Sequence, residues 1–66
     1  MEFLTWIKYF KDVDRPVGDL AFDMLKDRDL PATSDYGVLH TYLTRKLSTE
    51  QLDLFEKLYG LYKADT

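Results

Sequence analysis

The segment PVGDLAFDML, residues 16–25, decides the fold class of this chain. Its apolar residues recur at i, i+3, i+4, i+7 and i+8, the spacing that places them on one face of an α-helix. Pro16 suits the first turn of a helix, where its missing N–H leaves no hydrogen bond unmade. Pro31 disfavours helical geometry at the residue before it, so we expect this helix to stop near Asp29. The predicted core face is Val17, Leu20, Ala21, Met24 and Leu25.

Helical spacing continues upstream of this segment. Phe3, Ile7 and Phe10 recur at three to four residues, which predicts a first helix over residues 2–11. The stretch KDVDRP, residues 11–16, then breaks the pattern. The first two helices are therefore expected to be joined by a short polar loop.

Downstream, PATS at residues 31–34 is typical of a loop before a third helix. Thr33, Ser34 and Asp35 could each cap that helix, because a side-chain oxygen at the N-cap accepts a backbone N–H of the first turn. The helix is predicted to end around Leu47. Its predicted core face is Tyr36, Leu39, Leu43 and Leu47, with Val38 and Tyr42 on the flank.

The sequence STEQ, residues 48–51, matches a capping box. Ser48 would take the N-cap and Gln51 would reach back from the third helical position, so that each satisfies a backbone amide. The fourth helix follows, and short loops join all the segments. We expect a single all-α domain over residues 1–66, a compact bundle of four or five helices. The predicted core face of the last helix is Leu52, Phe55, Leu58, Tyr59 and Tyr62.

Composition narrows the possible functions. The chain has 66 residues and no cysteine, which excludes disulfides, thiolate metal sites and cysteine nucleophiles. A core of this size leaves little room for a deep substrate cleft. The net charge of −3 argues against a dedicated nucleic-acid binder, which normally presents a basic patch. No apolar run is long enough to span a membrane. Because Lys8 and Lys11 interrupt any signal-peptide pattern, we expect a soluble cytoplasmic protein.

His40 is the only histidine and therefore the first candidate for catalysis. A Ser34–His40–Asp35 triad would need a nucleophile on a strained turn with oxyanion donors beside it, and the sequence shows no such motif. We expect a partly exposed histidine without a catalytic role. One histidine without cysteine cannot complete a zinc site. No catalytic residue, metal or cofactor is predicted, and the chain is not expected to be an enzyme.

A calcium loop is the other metal site that the sequence suggests. Counted from Asp12, residues 12–23 place Asp14 at the third position of an EF-hand loop. However, Pro16 stands at the fifth position, and the glycine falls one place late. A loop at a helix boundary explains the stretch better.

Protein binding is the first functional hypothesis. Asp19, Asp23 and Asp27 fall at i, i+4 and i+8 of the second helix, where they form either a solvated face or a site for a partner. Several large apolar residues fall away from the core faces and are expected either to complete the core or to form an exposed interaction patch. The candidate patch residues are Trp6, Phe22, Leu54 and Leu61.

Nucleic-acid binding is the alternative hypothesis. It requires the scattered basic side chains to gather on one face, where they would contact phosphates in a salt-sensitive and sequence-independent way. The partner's identity and self-association both stay open. The candidate contacts are Lys8, Lys11, Arg15, Arg45 and Lys46.

Short motifs across most of the chain resemble the YozE-like family of small proteins from Gram-positive bacteria. The motifs are DRDLP at residues 27–31, SDY at 34–36, YL at 42–43 and a loose match to PVGDLA at 16–21. In the last helix, Phe55, Tyr59 and Tyr62 follow that family's F-x-x-x-[WY]-x-x-Y pattern, although Tyr59 stands where an indole is common.

This resemblance implies a helical fold like the sterile alpha motif (SAM) and no established enzyme activity. The loop before SDY is one residue shorter than the resemblance implies. The wider SAM-like fold group contains protein-interaction modules, some of which self-associate, and some nucleic-acid binders. No functional residue can be transferred, so we interpret the chain as a small cytoplasmic interaction module.

Overall fold

The structure is a computed structural model that describes residues 1–65. Within this range the chain is helical and contains no strand, which confirms the predicted all-α class. The domain measures 24 × 24 × 21 Å. Its elements are α1 (Phe3–Trp6), a 3-10 helix (Ile7–Phe10), α2 (Pro16–Lys26), α3 (Tyr36–Lys46) and α4 (Thr49–Asp65).

The first predicted helix is divided into two short pieces, of which the second is the more tightly wound. The α-helical hydrogen bonding of α1 ends at Trp6, and the next turn is a 3-10 helix that ends at Phe10. The chain then bends, with the Val13 N–H donating to the carbonyl of Phe10 at 3.0 Å. Short 3-10 turns are common where a helix gives way to a loop. This bend brings the following loop against the start of α2.

The start of α2 lies very close to that loop. Gly18 is buried, and a Cβ built on it would lie 1.9 Å from the carbonyl oxygen of Val13 and 3.0 Å from that of Phe10. Both neighbours are backbone atoms and cannot rotate away. The absence of a side chain at Gly18 therefore allows the loop to pack on the helix.

The end of α2 comes earlier than Asp29, where it was expected. Its last residue is Lys26, and Asp27 follows as the C-cap with extended backbone geometry. The Asp27 carboxylate accepts the backbone N–H of Asp29 at 3.0 Å, a local bond that replaces continued helix. The chain then turns toward Leu30, which is buried and had not been predicted as core.

Both remaining caps follow the sequence rules. At the start of α3, Asp35 is the N-cap among the three candidates, because its Oδ1 accepts the N–H of Val38 at 3.0 Å. Before α4, the Gln51 N–H donates to Ser48 Oγ, and the Ser48 N–H donates to Gln51 Oε1, each at 3.2 Å. The predicted capping box is therefore confirmed.

The core is apolar and draws on every helix. Of the predicted core face of α3, Leu39 and Leu43 are buried, but Tyr36 lies at the edge with 38% of its surface exposed. The buried residues are Phe3, Trp6, Ile7, Leu20, Ala21, Met24, Leu30, Leu39, Leu43, Phe55, Leu58 and Tyr62.

Phe3 is the centre of an aromatic cluster. Its ring is fully buried, 5.2 Å from the centroid of Tyr59 and 5.3 Å from that of Tyr62. Aromatic pairs at such distances contribute about 0.5–1.5 kcal/mol each beyond the area they bury. The Phe3 N–H donates to Ser34 Oγ at 2.9 Å, and the Tyr62 O–H donates to the carbonyl of Met1 at 2.5 Å. These contacts hold the N-terminal segment against α4 and against the loop before α3.

Candidate interaction surfaces

The serine, aspartate and histidine of the triad hypothesis do not meet as a triad. Ser34 Oγ accepts the Phe3 N–H, and the carboxylate of Asp35 caps α3. His40 is half-buried, as expected, and its ring stacks on Tyr36 at a centroid distance of 5.3 Å. Each of the three side chains therefore has a structural contact. Residues 1–65 contain no cluster of three or more His, Cys, Asp or Glu side chains arranged to hold a metal ion.

A shallow apolar groove lies between the 3-10 helix and the end of α4. Its volume is about 500 Å³. Tyr9 is 72% exposed and Leu61 is 58% exposed, so two large apolar side chains stand in solvent at its edge. We call this the apolar groove, and its lining residues are Trp6, Tyr9, Phe10, Leu61, Ala64 and Asp65.

The four apolar candidates from the sequence have different environments. Trp6 is only 6% exposed, so it is wrong as an exposed patch residue. It belongs to the aromatic cluster, where its Nε1–H donates to Asp65 Oδ2 at 3.0 Å. Leu54 is also wrong as an exposed patch residue, because it is half-buried against the core. Phe22 and Leu61 are exposed, as the hypothesis requires.

A second groove lies between the 3-10 helix and the last turns of α2. It has a volume of about 320 Å³ and combines positive charge with an aromatic ring. Lys26 Nζ lies 5.7 Å from the ring centroid of Phe22, a cation–π contact. We call this the lysine groove, and its lining residues are Lys8, Lys11, Phe22, Leu25 and Lys26.

The predicted stripe of aspartates on α2 is not continuous. Asp19 and Asp23 are exposed on the helix. Asp27 instead caps the helix, is half-buried, and accepts a hydrogen bond from the Tyr42 O–H at 2.7 Å. The carboxylate of Asp27 is thus held by α3, because the earlier end of α2 turns it out of helical register.

The structure brings together only part of the basic set predicted from the sequence. Lys8 and Lys11 share the lysine groove, where Lys26, which the sequence analysis did not single out, joins them. Arg15 lies just before the start of α2, whereas Lys26 is the last residue of that helix. Arg45 and Lys46 lie in the last turn of α3 and line neither groove.

Lys46 belongs to a small polar network with Tyr42 and Asp27. The hydrogen bond from Tyr42, helped by that from the Asp29 N–H, holds the pKa of Asp27 below its ordinary value of 3.8. The same carboxylate raises the pKa of Tyr42 above 10.0. Lys46 Nζ lies 5.6 Å from the Tyr42 ring centroid, and the phenol oxygen raises the pKa of Lys46 above 10.5.

These pKa shifts decide what Tyr42 can do chemically. A phenol whose pKa is raised stays protonated at neutral pH, so Tyr42 acts as a hydrogen-bond donor and not as a base. Tyr36 also stays protonated. Its O–H donates to Glu56 Oε1 at 2.9 Å, and that carboxylate raises the pKa of Tyr36 above 10.0. Both phenols link helices and carry no sign of activation.

Comparisons with known proteins found no match for the chain. No family model, no curated protein and no solved structure matches it. Within residues 1–65, no helix has both the length and the apolar character needed to cross a membrane. The two grooves are concave surfaces that this part of the chain offers to a ligand.

Proposed function

We propose that this chain is a small, non-enzymatic module that binds another protein through the apolar groove. The observation that carries the proposal is the exposure of Tyr9 and Leu61 at the edge of a groove whose floor includes Trp6. Large apolar side chains that meet in one concavity are typical of protein-interaction sites. Burying one such side chain fully contributes about 1.5–3 kcal/mol.

Serine substitutions at the groove edge test this proposal. Leu61→Ser and Tyr9→Ser remove apolar contact area from exposed positions, so both variants are expected to fold normally. Val38→Ser is the matched control, because Val38 is 46% exposed and lines neither groove. Tagged forms of the chain would be crosslinked in cells, and the captured proteins identified by mass spectrometry.

We expect the native chain and Val38→Ser to capture the same partner, and the two groove variants to lose it. Capture at equal yield by all four forms would refute binding through the apolar groove. A reaction screen that found turnover, lost on His40→Ala, would refute the non-enzymatic part of the proposal.

Nucleic-acid binding is the weaker candidate. Of its five predicted contacts, Lys8 and Lys11 share a groove, but Arg15 lies beyond the far end of α2 and Lys46 contacts Tyr42. The net charge of −3 opposes association with a polyanion. A protein partner is therefore the better supported choice.

Membership of the YozE-like family, with a SAM-like fold, is likewise a proposal. It is supported by the short motifs DRDLP, SDY and YL and by the aromatic spacing of α4. The helical structure is compatible with it. The proposed location is the bacterial cytoplasm.

A further inference from the structure

The lysine groove is a second surface with its own chemistry. It lies on the α2 side of the 3-10 helix, whereas the apolar groove lies on the α4 side, and the two share no lining residue. A ligand of the lysine groove would therefore occupy a different surface from the one proposed above.

Within residues 1–65, the three lysines of this groove have no ionic partner. Among residues 1–65, the ion pair that forms joins Lys57 and Asp53 on α4, at 3.3 Å. Lys8 has Asp12 four residues later, and Lys26 has Asp23 three residues earlier, but neither lysine pairs with these carboxylates. Unneutralised positive charge from two elements therefore collects in one concavity of an acidic chain, and it attracts an anionic ligand.

The groove also contains an apolar surface alongside its charged groups. Phe22 is 51% exposed, and Leu25 beside it is half-buried. Such a pair can receive one large apolar side chain, and the lysine stems extend the apolar surface while their ammonium groups stay in water. A ligand with charged groups alone would leave this apolar surface uncovered.

We propose that the lysine groove binds an acidic segment of a partner protein. One large apolar side chain of that segment lies against Phe22 and Leu25, and the carboxylates on either side of it lie at the lysines. Charge complementarity at the rim governs the rate and salt dependence of binding, and the apolar anchor supplies much of its strength.

Two exposed carboxylates that neighbour groove residues in the chain favour an acidic peptide over a nucleic acid. Asp12 follows Lys11 in the chain, Asp23 follows Phe22, and both are exposed. A nucleic acid carries a negative charge at every phosphate, so carboxylates close to the lysines would repel it. An acidic peptide can place its carboxylates at the lysines alone and neutral residues elsewhere.

Fluorescence anisotropy with the full chain tests the proposal. The probe is a fluorescein-labelled peptide with one phenylalanine between flanking glutamates. Two comparison peptides replace the phenylalanine with serine or the glutamates with glutamines, and labelled oligo(dT) represents nucleic acid. We expect the acidic, apolar peptide to bind best, and salt to weaken its binding because the attraction is electrostatic.

Protein variants then locate the site. Lys26→Glu and Phe22→Ser are each expected to weaken peptide binding by about tenfold or more. Lys57→Glu is the matched control, since it makes the same change in net charge outside the groove and should leave affinity unchanged. Circular dichroism would confirm that each variant is folded.

Three outcomes would overturn the proposal: no peptide binding at low salt, an equal loss in Lys57→Glu and Lys26→Glu, or tighter binding of oligo(dT) than of the peptide. The last result would support nucleic-acid binding instead. Leu61→Ser should leave peptide binding intact, so failure here is distinguishable from failure of the apolar groove.

Discussion

The two ends of α2 are held by different kinds of contact. At the N-terminal end, Gly18 is buried so close to the preceding loop that a Cβ would lie 1.9 Å from the carbonyl oxygen of Val13. At the C-terminal end, Asp27 accepts the Tyr42 O–H at 2.7 Å, and Lys46 lies over the same ring. Close steric packing holds the first end, and a hydrogen bond to a carboxylate with a nearby lysine holds the second.

Because the contacts differ, we expect the two ends of α2 to respond differently to pH and salt. A steric contact between backbone atoms does not depend on pH or salt. A network of ionisable groups near the surface depends on both, and water screens it. Substitutions at the two ends should therefore differ in the size of their effects and in their pH dependence.

The largest effect is expected from Gly18→Ala. The added Cβ would lie 1.9 Å and 2.8 Å from the carbonyl oxygen and carbon of Val13, so backbone must move. Overpacking of this kind lowers the free energy of unfolding by about 1–3 kcal/mol or more. Urea unfolding followed by circular dichroism measures the change.

Gly60→Ala is the control for this prediction. Gly60 lies inside α4, and among residues 1–65 a Cβ built on it would meet no atom within 4 Å beyond the backbone of its own helix. Alanine there should raise the free energy of unfolding by about 0.5–1 kcal/mol, since glycine is the poorer helix former. If Gly18→Ala were as stable as the native chain, the close packing of the loop on α2 would be wrong.

A smaller effect is expected from Tyr42→Phe, which removes the hydrogen bond at the other end. The urea midpoint should fall by less than in Gly18→Ala, because the network lies near the surface. The pKa of Asp27, measured by NMR, should rise toward 3.8. An unchanged pKa would show that Tyr42 does not bond to this carboxylate in solution.

The pH dependence sharpens the comparison further. Asp27 has a lowered pKa in the folded state, so its stabilisation is present above pH 3.8 and is lost as the pH falls through the lowered value. Tyr42 and Lys46 have raised pKa values, so their stabilisation is present below pH 10.0 and 10.5, respectively, and is lost as the pH rises through the raised values.

The stability difference between the native chain and Tyr42→Phe should therefore be largest between these limits and shrink toward both. The difference between the native chain and Gly18→Ala should stay constant over the same range. Urea midpoints measured across the pH series test both expectations, and a pH-independent Tyr42→Phe difference would contradict the first.

Local features of the fold were predictable from the sequence. The start of α2 at Pro16 and the capping box of Ser48 and Gln51 depend on residues close together in the chain, and the structure confirms both. Helical spacing also predicted that Leu39 and Leu43 would be buried. These features need no knowledge of how the helices pack.

Features that depend on packing between helices were not predictable in this way. Periodicity could not show that α1 would end at Trp6, because the 3-10 turn serves the bend toward Gly18. Nor could it show that Lys26 would join Lys8 and Lys11 in one groove. The sequence supplied parts of both grooves, but their composition follows from the packing of the 3-10 helix between α2 and α4.

The aromatic cluster has a consequence for how this protein is made. Trp6 donates a hydrogen bond to Asp65, and Tyr62 donates one to Met1. The packing of the N-terminal segment therefore depends on α4, the last helix to be synthesised. During synthesis, Phe3 and Trp6 lack their contacts with α4 until that helix has left the ribosome. Contacts between residues so distant in sequence slow folding. The N-terminal aromatic residues are therefore expected to reach their packed positions only after the whole of α4 has been synthesised.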